Sequence, residues 1–499
     1  MPRTMLCATT ALTLLAGAAT AAELRVGNAT LPAGLGNPLI EAAHSSNFAY
    51  TTVFDFLTYG TRLGPQPGLA VSWKNTSPTT WELKIRPNVK FHNGNPLTAN
   101  DVGELINWMN TTDGKVKSNN VLRNMANVVA ARVVDGSTVV VESKTPDPMI
   151  PALLATLKVM DMKQFKEIGW ENLGRNPNGT GPYRATSWTA QKVDLVLFKE
   201  GWRPGKIDKI TLNALPEVAS RIQAFQSDQI DIALEIITDA KERIEAANGT
   251  LHISTAPQVI NLMIFQNKPS PVADVRVRRA LNYAVDKEKY VSTIMKGTVK
   301  VASQPAASTV NGYDDTIKPY SLDLAQAKKL LTEAGFPNGM TLQAEVVTTS
   351  ADRRDLYQAV ALDLQKVGVN VVMREITLAD LLQKVRDTSK FGEVTLWGMN
   401  FGSEPTMDVM RSLNALHSCN ADTKWICFPE IEPTIKAANE EFDPAKRLDM
   451  LKKINRFYHD NAPAIFLYED AQIDAVKKRV QNYRPENRYI FWHDISVQG

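Results

Sequence analysis

WELKIRPNVKFHNGNPLTANDV, residues 81–102, carries three structural signals in one stretch. Trp81, Leu83 and Ile85 alternate with Glu82, Lys84 and Arg86, the period of a strand that turns one face to a core. Asn93-Gly94 follows Phe91 and signals a tight turn between strands. Thr98-Ala99-Asn100-Asp101 then supplies capping residues ahead of Val102, Leu105, Trp108 and Met109 at helical spacing. Strand, turn and capped helix in this succession call for a mixed α and β architecture.

The rest of the chain extends that pattern. Thr138 to Val141 read as a buried β-branched strand that ends at Thr145-Pro146-Asp147-Pro148. Asp274 opens a helix with Val277, Ala280, Leu281, Ala284 and Val285 on one face. Asp286 starts another, with Tyr290, Val291, Ile294 and Met295 inward and Gly297 as its stop. Leu330, Leu331 and Ala334 close a helix at Gly335, and Leu356, Val360, Leu364 and Val367 line one that ends at Gly368. Val369, Val371 and Met373 follow as a strand. A long helix through Leu448, Leu451, Ile454 and Tyr458 begins at Asp443-Pro444 and gives way to the strand Ala464–Leu467. Helix-then-strand alternation implies α/β layers with mostly parallel pairing.

At 499 residues, 44% hydrophobic and 22% charged, the chain has the composition of a globular protein of several domains. Lys plus Arg number 56 against 53 Asp plus Glu, a formal net charge of +3, which offers no argument for nucleic acid or a polybasic membrane surface. Arg3, the apolar run Met5–Ala19 and Thr20-Ala21-Ala22 form the pattern of a secretory signal peptide over residues 1–22, cleaved near Ala21-Ala22. Removal of Cys7 with the leader leaves Cys419 and Cys427. In an oxidising compartment two cysteines this close read as a disulfide; a metal site with His417 is the competing reading. No nucleophile elbow, His-Glu-x-x-His helix or phosphate loop is present, so no catalytic residue, metal or cofactor is nominated.

Several segments together resemble the family 5 extracellular solute-binding proteins, the large periplasmic receptors of ABC importers. These are Pro67-Gly68-Leu69-Ala70 with Ser72-Trp73, residues 81–102, Asn178-Gly179-Thr180-Gly181-Pro182-Tyr183, Asp274 to Ala284, Ala325 to Gly335, Leu362 to Val369 and Trp397-Gly398. The resemblance implies a two-lobed periplasmic-binding-protein fold (type II, of the large cluster C kind) with an extra subdomain inserted in the first lobe. Carried over, lobe one comprises residues 23–60, 188–258 and 478–499, the inserted subdomain 61–187, and lobe two 259–477. It also implies a monomeric periplasmic receptor, not an enzyme, that closes on a peptide or small organic solute and delivers it to permease subunits and their ATPase. Alternatives are a non-peptide solute (opine, saccharide, glutathione-like molecule or metal chelate) and, further off, a secreted hydrolase or chaperone-like binder.

The resemblance also nominates a site. Trp397-Gly398-Met399-Asn400-Phe401 would face the ligand cleft, with Trp397 as a pocket wall and core packing as the other reading. Thr30, Leu31 and onward to Asn37 would contribute from lobe one, and Thr348 and Thr349 from another segment. In the dipeptide branch an aspartate at the Asn400 position pairs with the ligand ammonium, and an arginine before the helix of Leu356 holds its carboxylate. Here Asn400 is neutral and no basic residue precedes Arg353, so dipeptides with free ends should bind poorly. A slip in this alignment would give the ammonium to Glu404 instead. Gly94, Gly179 and Gly181 read as turn residues with special backbone angles, Arg278 and Arg279 as surface or interlobe salt-bridge partners, and Trp73, Trp81 and Trp108 as core of the inserted subdomain.

Overall fold

The computed structural model describes residues 22–265, 270–347, 351–377, 380–381, 383–384, 388–421 and 426–498. Residues 1–21, nearly all of the expected signal peptide, lie outside them. The first strand, β1 (Glu23–Asn28), buries Leu24 and Val26 completely. A hairpin of β2 (Thr58–Thr61) and β3 (Gly64–Pro67) precedes an antiparallel sheet of β4 (Ala70–Ser77), β5 (Thr80–Ile85), β6 (Val128–Asp135) and β7 (Thr138–Ser143), ordered β4-β5-β7-β6. The chain then returns beside β1 through β8 (Tyr183–Trp188), β9 (Lys192–Leu197), β10 (Lys209–Ala214) and β11 (Ile232–Ala233). The second half adds β12 (Gly249–Ile264), β13 (Met340–Val346), β14 (Val369–Glu375), β15 (Val394–Trp397), β16 (Phe401–Gly402) and β17 (Ala464–Lys477).

These strands form one large sheet ordered β14-β13-β15-β12-β17-β11-β1-β10-β9-β8, with β16 also on β12. β12 and β17 pair antiparallel from Gly249–Lys477 to Met263–Ala464, with a register shift between Thr255 and Val259. They are the strands that carry the sheet from one half of the molecule to the other. The expectation of mostly parallel pairing is corrected here. β1 pairs parallel with β10 and β11, and β13 with β14 and β15, but β8–β9, β9–β10, β11–β17 and every pair of β12 are antiparallel. Helix–strand alternation reports only the β13–β15 region; the hairpins and the long connecting strands follow a different rule.

The side-chain period of two decides the layering. Val259, Met263, Ala464 and Phe466 enter one apolar cluster with Leu413, Ile435, Leu451 and Tyr458 from helices Met410–Leu416, Glu432–Glu440 and Pro444–Asn461. Ile260, Leu262, Ile264, Ile465 and Leu467 enter another with Leu281, Leu331, Leu356 and Leu364 from helices Val275–Tyr283, Leu324–Glu333 and Ala351–Gln365. Both faces are therefore covered, an α/β/α sandwich. A third cluster joins β1, β8, β9 and β10 to Leu83, Ile85, Val139 and Val141 of the four-stranded sheet, so these two sheets share one core.

Local signals held where their physics was local. Thr98 caps helix Ala99–Met109, and the Asp101 carboxylate accepts the Thr98 N–H at 2.9 Å. Asp274, Asp286 and Asp443 each cap a helix through the side chain. Asn93-Gly94 makes its turn, with Gly94 at φ +90°, between single bridging residues rather than full strands. Two readings are corrected. Gly179 and Gly181 are not in left-handed backbone; a Cβ on Gly179 would lie 2.1 Å from the Val53 carbonyl oxygen, and one on Gly181 2.6 Å from the Val53 carbonyl carbon, so close approach demands glycine. Arg278 is buried rather than at the surface: Nε donates to the Asn461 carbonyl at 2.8 Å and Nη1 to Ala273 at 2.7 Å, while Arg279 Nε donates to Asp460 at 2.7 Å. The two arginines thereby satisfy the open C-terminal carbonyls of helix Pro444–Asn461.

Cys419 and Cys427 are joined as a disulfide, which removes both sulfurs as free thiolate ligands. Cross-linking residues 8 apart should contribute about 2–3 kcal/mol. Changing both to serine should lower the urea midpoint accordingly, and mass spectrometry after alkylation should show neither Cys419 nor Cys427 modified in the purified protein; alkylation of both without reduction would refute the bond.

Candidate functional site

The nominated residues divide. Trp397 is fully buried at the end of β15, stacked 5.6 Å from Phe265 at 13° and 4.7 Å from Phe391. Phe401 is equally buried against His417 and Phe466. Both sit in the core of the second half, surroundings that accord with the packing alternative for Trp397. Between them the chain surfaces: Met399 and Asn400 are half-buried, the Met399 carbonyl accepts Asn261 Nδ2 at 2.6 Å, and Asn400 Oδ1 is enclosed with no hydrogen-bond partner among the described residues. On the other side Thr30 is exposed and Leu31 buried. Asn37 is inside a turn, its Oδ1 accepting Leu39 N–H at 3.0 Å and its carbonyl the Tyr50 hydroxyl at 2.7 Å. No hydrogen bond links the two sets among the described residues, and Thr348 and Thr349 lie outside these residues.

Charged groups, of which the sequence reading weighed only Glu404 and Arg353, occupy the junction of the halves. Arg488, near the C-terminus, places Nη2 2.6 Å from Asp470 on β17 and Nη1 3.3 Å from Glu404 in the loop after β16. Nη1 also lies 3.3 Å from Gln258 Oε1 on β12 and 3.3 Å from His44 Nδ1, the first residue of helix His44–Val53. The other nitrogen of His44 is 3.0 Å from Glu235, and Arg353 approaches Asp470 at 3.2 Å from helix Ala351–Gln365. Burial opposes the charge on Arg488, but Glu404, Asp470 and Glu235 outweigh it and hold its pKa above the ordinary value. Burial likewise opposes the Glu235 carboxylate, and the hydrogen bond from His44 reverses the balance, leaving its pKa below the ordinary value. Glu235 and Arg488 both adopt left-handed backbone, at φ +52° and +61°. Such a conformation is costly for non-glycine residues and persists where surrounding contacts over-determine it.

Beside this junction lies a cavity of about 250 Å³. One wall is Asn127, Asp147, Met149 and Leu153, from the segment around β6 and β7; the other is Thr406, Met410, Arg411 and Asn414, from the loop that carries Glu404 and the helix after it. Ordinary ligand pockets begin at roughly 300 Å³, so the space suits one small solute. Asp147 is engaged: Asn127 Nδ2 and Met149 N–H donate to it at 2.9 and 2.8 Å, and burial raises its pKa. The sequence gives little sign of this cavity, because its walls are about 260 residues apart along the chain and only the fold brings them together. Among the described residues no cluster of three His, Cys, Asp or Glu side chains could hold a metal ion, and no helix is long and apolar enough to cross a membrane.

Comparison with known proteins adds a family. The model for bacterial extracellular solute-binding proteins, family 5, matches residues 64–424. The glutathione-binding protein GsiB of Pectobacterium atrosepticum is 25% identical over 433 residues, 83% of this chain and 82% of that protein. The dipeptide-binding protein of Escherichia coli is 23% identical, covering 87% and 86%. The periplasmic binding protein DppA of Helicobacter pylori, an ABC transporter-associated protein solved with the peptide STSA, superposes with a TM-score of 0.79 over 96% of this chain and 98% of that one at 20% identity.

Proposed function

The chain belongs to the bacterial extracellular solute-binding proteins of family 5, and from that premise we propose that it is the exported receptor of an ABC importer, binding a peptide or peptide-like organic solute between two closing lobes without chemical change. The observation that carries this reading is the junction itself: Arg488 and His44 on one side meet Glu404 and Asp470 on the other, beside a cavity walled from both sides. A solute in that cavity touches both halves and so favours the arrangement in which they meet. We assign residues 23–60, 188–258 and 478–499 to lobe one, 61–187 to its inserted subdomain and 259–477 to lobe two, with β12 and β17 as hinge strands. The relatives that bind glutathione and dipeptides support a peptide-like solute. With Glu404 already ion-paired to Arg488 and Asn400 neutral, an ammonium group on the solute finds no free acid at either position, which supports poor binding of free-ended dipeptides.

Native mass spectrometry of protein purified without denaturation should find a bound small molecule, released unaltered. Adding that molecule back at a hundredfold excess over Kd should stabilise the protein by about 2.7 kcal/mol and reduce its radius of gyration in small-angle scattering. A confirmed ligand that produces no compaction, or one recovered as cleaved product, would contradict the reading.

A further inference from the structure

Arg411 carries a charge that the fold does not pair. Arg353, Arg447 and Arg488 each face a carboxylate within ion-pair distance, whereas Arg411 forms no ion pair with any described residue. Its Nη2 donates to Asn124 Oδ1 at 3.0 Å, and its Nε is enclosed without a hydrogen-bond partner among the described residues. Burial lowers its pKa from the ordinary value; Glu404 works against that, and Arg123 adds to it. The side chain lines the cavity, and its hydrogen-bond partner Asn124 precedes Asn127 of the opposite wall by three residues. A guanidinium that lines the cavity without a carboxylate partner carries planar N–H donors whose geometry matches the two oxygens of a carboxylate.

Resting on the receptor reading above, we propose that Arg411 sets specificity by pairing with a carboxylate of the solute, so that the receptor selects small organic acids over their amides. A carboxylate suits the cavity better than a phosphate, because Asp147 already supplies negative charge there and a phosphate adds nearly two further charges. The neighbouring Asn127, Asn414 and Thr406 can hydrogen-bond the rest of the molecule without contributing charge.

The test is calorimetry on the full mature chain against a panel of di- and tripeptides, free and N-acetylated, each as the C-terminal acid, the C-terminal amide and an O-phosphoserine derivative. Wild type should bind the best acid at least tenfold more tightly than its amide and than its phosphorylated derivative, with the N-acetylated form retained. Arg411→Gln should remove the acid preference while leaving the amide affinity within threefold, and Arg411→Lys should keep part of it. The lysine variant guards against a folding defect in the glutamine variant. An unchanged acid-to-amide ratio in Arg411→Gln, or no acid in the panel bound, overturns the proposal. A co-purified solute that lacks an acidic group and binds both proteins equally overturns it too while leaving the receptor reading intact; absence of any retained or bound solute counts against both.

Discussion

Replacing Asp408 by alanine should destabilise the second half by about 3–5 kcal/mol, seen as a lower urea midpoint. Asp408 and Arg447 are both buried, at 2% and 6% exposure, and meet through two contacts of 2.6 and 3.1 Å. The pair also holds its surroundings. Arg447 Nε donates to the Ala438 carbonyl at 3.0 Å, Asn311 Nδ2 donates to Asp408 at 2.9 Å, and Asp408 Oδ1 accepts the Met410 N–H at 3.0 Å. Removing the carboxylate leaves a buried cation without its acid and the Met410 N–H, at the start of helix Met410–Leu416, without its acceptor. The charge, not the contact count, dominates this cost. Asp408→Ala combined with Arg447→Met should therefore recover much of the loss, since an apolar pair of similar volume often matches a buried ion pair. A single variant within about 0.5 kcal/mol of wild type, or a double variant less stable than the single, would show that the pair does not act in this way.

The fold was legible wherever a signal is short-range. Capping by Thr98, Asp274, Asp286 and Asp443 and the alternation through Trp81, Leu83 and Ile85 each depend on a few neighbouring residues, and each reappears in the structure, whereas the helix expected to stop at Gly297 ends at Thr293. Sheet order was not legible in this way. β12 pairs with β17 some 200 residues later, and nothing in either segment states its partner or its direction. Gly179 and Gly181 show the same limit at one position: the sequence says glycine, but only the packed neighbour Val53 says why.

The site was less legible for a related reason. A tryptophan in an apolar strand is equally consistent with a wall and a core, and the neighbours that decide, Phe265 and Phe391, are distant in sequence. No local pattern marks Arg411 or Arg488 out among 56 basic residues. Their meaning arises from what encloses them, a carboxylate pair for one and a cavity without an acid partner for the other.

Asp474→Asn should stabilise the protein, and by an amount that depends on pH. Asp474 is fully buried on β17; it accepts the Glu235 N–H at 2.9 Å, Gln472 Nε2 at 2.6 Å and the Tyr483 hydroxyl at 2.7 Å. Burial nevertheless raises its pKa to about 7, with the nearby Glu235 charge acting the same way and the three donors opposing. In the unfolded chain the group ionises near 3.9. The folded state therefore holds the proton more tightly, and wild type loses stability as pH rises from about 4 to about 7, after which the loss is complete. Asparagine removes the charge and this slope. It also keeps an acceptor for Glu235 N–H, while its amide can donate to Gln472 Oε1, which has no partner at present, once that amide turns over. The gain should thus be small at pH 4.5 and reach roughly 2–4 kcal/mol at pH 8. Glu235 gives a slope of opposite sign at lower pH, below the ordinary carboxylate range, because its pKa is depressed and its contribution disappears as pH falls. The two slopes have opposite sign and meet only near pH 4, so denaturant titrations at a series of pH values separate them. A difference between variant and wild type that stays constant from pH 4.5 to 8 would mean that Asp474 is already ionised in the folded protein, and that Glu235 beside His44 is positioned by a charged partner rather than a neutral one.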